Sequence, residues 1–89
     1  MDRKPLVGDH VIYCDSRSVD HNAVVTAAWS ATCINVVFAS SDEAKTDSYG
    51  RQIERETSLL HAATTGQAHG RYWRFPEDPR NQYKPPEQI

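Results

Sequence analysis

Apolar and polar residues alternate with a period of two over much of the N-terminal half, which is strand spacing rather than helix spacing. From Val7 to Cys14, Val7, Val11 and Tyr13 share a side with Asp9, while Ile12 and Cys14 share the other with His10. That pattern predicts a first strand. Asp15 to Asn22, D-S-R-S-V-D-H-N, is rich in turn-forming residues and predicts an exposed loop. In the next run Ala23, Val25, Ala27 and Trp29 lie on one side and Val24, Thr26 and Ala28 on the other. Both sides are largely apolar, which suits a central strand.

Ser30 and Ala31 predict a tight connection, after which Ile34, Val36 and Phe38 point one way and Cys33, Asn35 and Val37 the other. Asn35 therefore sits on an otherwise apolar face, where an amide needs hydrogen-bond partners or water. An Asn that satisfies backbone groups at a turn or bulge is weighed there against a ligand-binding one. Ser40 to Gly50 is a polar connection. Arg51 to Ala63 fits either a helix, with Ile53 and Leu60 on one side, or a bent strand pair; the strand is favoured because the helical stripe is thin. T-T-G-Q-A-H-G predicts a loop, and R-Y-W-R-F predicts a last strand ended by Pro76.

Five short strands with polar loops predict a mainly β chain: a small five-stranded barrel, SH3-like or related, over residues 1–78. Closure would hide the edges that an open sheet exposes. Residues 79–89 predict an extended Pro-rich tail, dispensable for folding, with Tyr83 and Ile89 as its apolar anchors. At 89 residues there is room for one domain with one small core. Domains of this size often gain stability by association, so a homo-oligomer is expected.

Four quoted segments carry a resemblance: V-I-Y-C-D, A-V-V-T-A-A-W-S-A-T-C-I-N-V-V-F, E-T-S-L-L-H and G-R-Y-W-R-F-P-E. Together they resemble a group of small, mostly uncharacterised bacteriophage proteins. Those proteins carry a V-x-Y-V start, a W-S-D-T-C-V-N-L-x-V-F pairing, a T-S-V-x-H segment and a final G-T-W-H-W-P-E. The similarity covers most of Val11 to Glu77. It departs in the last strand, where Arg74 and Phe75 replace His and Trp and Tyr72 is added before Trp73. The resemblance implies a phage origin and a small β fold.

Composition narrows the functional classes. With 38% hydrophobic and 25% charged residues and a mean hydropathy of -0.69, the chain is polar yet apolar enough to fold. A net charge of -2 and a pI near 6.0 disfavour nucleic acid held by phosphate neutralisation. No apolar run is long enough to cross a bilayer and no secretory h-region is present, so a cytoplasmic location in the host cell is expected, with no membrane partner. Cys14 and Cys33 sit in strand-like segments and are expected to be reduced core residues.

Candidate chemistry is sparse. His10 and Cys14 would stand about 13 Å apart along a strand, too far to share an ion, so no metal site is expected. There is no nucleophile elbow and no Gly-rich phosphate loop, so neither catalysis nor a cofactor is expected. The last strand is the exception. Arg71, Tyr72, Trp73 and Arg74 set guanidiniums beside aromatic planes, a combination that stacks bases and pairs with phosphates, with Asn35 and His61 as added hydrogen-bonding groups. Against this stands a structural reading, in which Trp73 and Phe75 close the core and the arginines are solvated or pair with Glu54, Glu56 or Glu77.

The expected function is a non-catalytic phage interaction protein that binds and interferes with a host factor, defence components included. One alternative is a binder that sequesters a small nucleotide signal at a subunit interface. A virion or nucleic-acid accessory protein is the third.

Overall fold

The structure, a computed structural model, describes residues 3–65 and 71–78. The elements are β1 (His10–Cys14), β2 (Asp20–Ala28), β3 (Cys33–Ala39), β4 (Thr46–Asp47), β5 (Gly50–Arg51), β6 (Ile53–Leu60), α1 (Ala62–Thr65) and β7 (Tyr72–Arg74). β1, β2 and β3 form an antiparallel meander, β6 pairs with β3, and β7 returns to the free side of β1. The strand order is thus β6-β3-β2-β1-β7, with β4 and β5 forming a separate two-stranded ribbon. Right-handed strand twist curls this sheet until its two edges touch at one end, where His61 makes an isolated parallel bridge to Trp73. The result is a curled antiparallel half-barrel.

Its concave face holds the core. Val11 and Tyr13 from β1, Ala23 and Val25 from β2, Ile34, Val36 and Phe38 from β3, Leu59 from β6, and Trp73 with Phe75 form one buried cluster. These are the inward sets that the period-two pattern predicts for β1 and β3. A smaller cluster of Cys14, Ala62 and Tyr72 lies where α1 meets the outer side of β1 and β7. Both cysteines are free thiols, Cys14 buried and Cys33 half-buried.

Several boundaries differ from expectation for local reasons. Val7 is exposed in a turn rather than in the first strand, because Gly8 takes a positive φ (95°) and the strand begins at His10. Asp20 to Asn22 belong to β2, not to the loop. Asp15 closes the shortened loop by accepting the Arg17 and Val19 amides at 2.8 and 3.0 Å, an Asx-type turn. The 51–63 stretch is a strand from Ile53 to Leu60, after which one helical turn follows. Register shifts between Val25 and Ala27, so the alternation breaks and Trp29 lies exposed instead of joining Ala23 and Val25 in the core. The predicted tail at 79–89 and most of the loop before Arg71 lie outside the described residues. Among the described residues no helix is long and apolar enough to cross a membrane.

The two faces of the sheet should respond very differently to truncation. Ile34→Ala, at a fully buried position, is expected to cost about 2–5 kcal/mol. Ile53→Ala, on the outer face and 73% exposed, should cost no more than about 0.5 kcal/mol. Urea unfolding of the two variants checks the assignment; equal losses would contradict it.

Candidate functional site

The residues singled out on the last strand are divided by its pleat. Trp73 points into the half-barrel and is 0% exposed; its ring meets Phe75 and His61 edge-on at 4.9 and 4.7 Å between centroids. Its indole N–H donates to the Thr32 carbonyl at 2.8 Å, and the same carbonyl accepts the His61 backbone N–H at 2.9 Å. Tyr72 and Arg74 point to the opposite side. Tyr72 is buried beside Cys14 and Ala62. Arg74 donates to Asp20 at 3.1 Å and to the Asp78 carbonyl at 3.2 Å. Arg71 is exposed and pairs with Glu56.

His61 is buried with both ring nitrogens engaged. Nδ1 accepts the Ala63 amide at 3.1 Å, so Nε2 carries the proton and donates to Asp78 Oδ2 at 2.8 Å. That carboxylate oxygen also accepts the Phe75 amide at 3.0 Å, which ties the turn after β7 to the end of β6. His61 and Trp73 are therefore brought together, but as packing partners. Arg71 and Arg74 are not brought together.

Asn35 sits at a bulge. β6 carries one residue more than β3 between Glu56 and Leu59, and Ser58 absorbs it with a left-handed backbone (φ 55°). The Ser58 N–H that the bulge turns away from the ladder donates to Asn35 Oδ1 at 2.8 Å. The Trp29 indole donates to the same oxygen at 3.0 Å. The amide on the apolar face is thus the acceptor for a displaced backbone donor and for an exposed indole.

Among the described residues, the surfaces open to solvent include a polar basin and the outer face of the sheet, besides a small recess beside Leu6 and Ala28. At one mouth of the half-barrel is an open basin of about 260 Å³, floored by Tyr13, His21 and Phe38 and rimmed by Asp15, Lys45, Glu54 and Glu56. The three ring centroids lie within 5.4 Å of one another, Tyr13 stacked on His21 and Phe38 tilted against both. Burial pushes the Asp15 carboxyl upward, but the His21 ring and the Val19 and Arg17 amides outweigh it and hold its pKa below the usual value. The Ser40 hydroxyl and Lys45 hold Glu54 down as well. Among the described residues each carboxylate on this rim has a hydrogen-bond partner: Asp15 has His21, Asp42 accepts the Ala44 amide, Glu54 has Ser40 and Lys45, and Glu56 has Arg71. Among the described residues no group of three or more His, Cys, Asp or Glu side chains is placed to hold a metal ion.

The second surface is the outer face of the sheet. Arg55, Val37, Val24 and His10 are successive cross-strand partners on it. Ile53 lies opposite Ala39, and Ile12 lies opposite Asn22 and Arg74. Val24 is 44% and Ile53 73% exposed. Sequence reasoning noticed the apolar second side of β2 but not its continuation. The alternation I-E-R-E from Ile53 to Glu56 carried that signal, since it sends Ile53 and Arg55 outward and both glutamates to the mouth.

No family model, no curated protein and no solved structure matches this chain. The site is therefore read from its own geometry.

Two measurements probe the groups described here. Asn35→Ala strands the Ser58 N–H and frees the Trp29 indole, so it should cost about 1–3 kcal/mol and change the Trp29 fluorescence, whereas a variant of wild-type stability would deny the bulge role. Tyr13 and Tyr72 are both pushed up to about 12, Tyr13 by burial and then the Glu56 carboxylate, Tyr72 by burial and then its hydrogen bond with Cys14. Their folded values lie above the unfolded value near 10, so the neutral rings' stabilisation is complete below about pH 10 and is lost as pH rises toward 12. Tyrosinate absorbance for these two rings should appear together with loss of the β-sheet circular dichroism; ionisation at pH 10 with the sheet intact would contradict their burial.

Proposed function

We propose that this is a non-catalytic interaction protein, phage-encoded as the sequence resemblance implies, that binds a host protein and blocks its action. Host defence components are the class of target that this reading names. The observation that carries it is the outer face of the five-stranded sheet, where Val24, Ile53, Trp29 and Leu60 leave apolar surface in water. A protein partner can cover such a surface without any pocket. In this reading the half-barrel is SH3-like, supported by a last strand that returns beside the first after a single helical turn.

The nucleotide-sequestering alternative has less to stand on. Stacking needs an accessible ring, and Trp73 is wholly buried while Tyr72 is nearly so. Gripping a phosphate needs convergent guanidiniums, and Arg71 and Arg74 leave on opposite sides of the sheet, each already on a carboxylate.

Native mass spectrometry of the full chain from host cells distinguishes the two. The expected result is a stoichiometric host protein, with about tenfold or greater loss of binding in a Val24→Asp, Ile53→Asp double variant that keeps its circular dichroism. A host protein held equally well by that variant would overturn the assigned surface. A retained nucleotide, lost in an Arg71→Ala, Arg74→Ala variant, would overturn the reading itself.

A further inference from the structure

We infer that the outer face of the sheet receives a protein surface of different sequence, apolar at its centre and carrying a carboxylate opposite Arg55. This rests on the interaction-protein reading and specifies the chemistry of the partner. The pleat sorts charge between the two faces of the sheet. On β6, Glu54 and Glu56 lie opposite Phe38 and Val36, whose side chains are in the core, so both glutamates belong to the concave mouth. Arg55 lies opposite Val37 and faces outward. On β2, Asp20 is the outward carboxylate, and Arg74 already holds it at 3.1 Å. Among the described strands the outer face therefore presents no free carboxylate. It does present Arg55, which makes no hydrogen bond or ion pair with any described residue.

Arg55 adjoins the apolar centre directly. It is the cross-strand neighbour of Val37, and Val37 is the neighbour of Val24, with Ile53 two residues away on the same strand. Any partner that covers Val24 and Val37 also removes water from the Arg55 guanidinium. Burying that charge without an acceptor costs several kcal/mol, whereas a planar guanidinium meeting a carboxylate in two parallel hydrogen bonds recovers much of the cost.

The same constraint selects against a second copy placed face to face. That arrangement would bring up another Arg55 and another His10, and its one carboxylate on the face is already committed to Arg74. Nucleic acid fits less well still, because one unpaired arginine supplies too little phosphate neutralisation to hold a polyanion. An acidic and apolar protein surface meets both requirements of the face.

The test titrates three synthetic helical peptides into the isotopically labelled full-length protein, followed by NMR. The peptides share one leucine face and differ only in flanking residues: Glu, Gln or Lys. The expected result is amide shift changes centred on Val24, Val37 and Ile53, binding of the Glu peptide about tenfold or more tighter than the Lys peptide, and reversal of that order in Arg55→Glu. Binding at this face with no dependence on the flanks would overturn the carboxylate inference and leave the docking face standing. Absence of any response at this face would overturn both. Concentration-dependent self-association that Arg55→Glu abolishes would overturn the inference in favour of a second copy, seated with Arg55 on the acidic mouth of its neighbour.

Discussion

The buried indole of Trp73 is the constraint on which the rest of this small fold depends. A ring that large fills much of a core of ten buried side chains, and its one polar atom must find an acceptor inside. It finds the Thr32 carbonyl, in the turn between β2 and β3, on the far side of the half-barrel from the β1 strand that β7 pairs with. One hydrogen bond thus joins the last strand to the hairpin that the sheet order places away from it. That span defines how tightly the sheet must curl.

The seam follows from this. Because the Thr32 carbonyl also accepts the His61 amide, the end of β6 is drawn to the same point, and the two edge strands meet there and diverge elsewhere. His61 then packs edge-on against Trp73 and passes the connection to Asp78, which holds the Phe75 amide. The Thr32 carbonyl, the Trp73 indole N–H, both His61 ring nitrogens and Asp78 Oδ2 are all engaged within the fold. Polar residues at the seam serve closure, and this is why a strand rich in arginine and aromatics is structural in its centre and exposed only at Arg71.

Much of the sheet could be read from the chain because period-two alternation survives wherever strands are regular. Val11 with Tyr13, and Ile34 with Val36 and Phe38, are inward as their spacing requires. The misses fall where an added residue shifts the phase. Trp29 is displaced by the irregularity after Val25, and the role of Asn35 depends on the extra residue at Ser58 in a strand that pairs with it only after folding. Nothing local to W-S-A-T-C-I-N-V-V-F announces a bulge more than twenty residues later. The division of Arg71 from Arg74 was legible, since three residues along a strand lie on opposite faces, but the buried partners of Trp73 and His61 were not, because they come from distant turns.

The alternation that builds the core also sets the surface chemistry. In β6 the order I-E-R-E places acid on the side where Tyr13, His21 and Lys45 gather and leaves a lone cation on the side where valines gather. Here the recess holds carboxylates that neighbouring donors have already engaged, with Arg17 beside them, and Arg55 stands on the outer face of the curled sheet next to Val37. On the proposed reading, recognition draws on that outer face, where burial of apolar area drives association at roughly 25 cal/mol per Å² before the costs of ordering are subtracted. A docking face of the proposed kind discriminates by what it would strand: a partner that covers the valines but offers Arg55 no acceptor leaves a buried charge uncompensated.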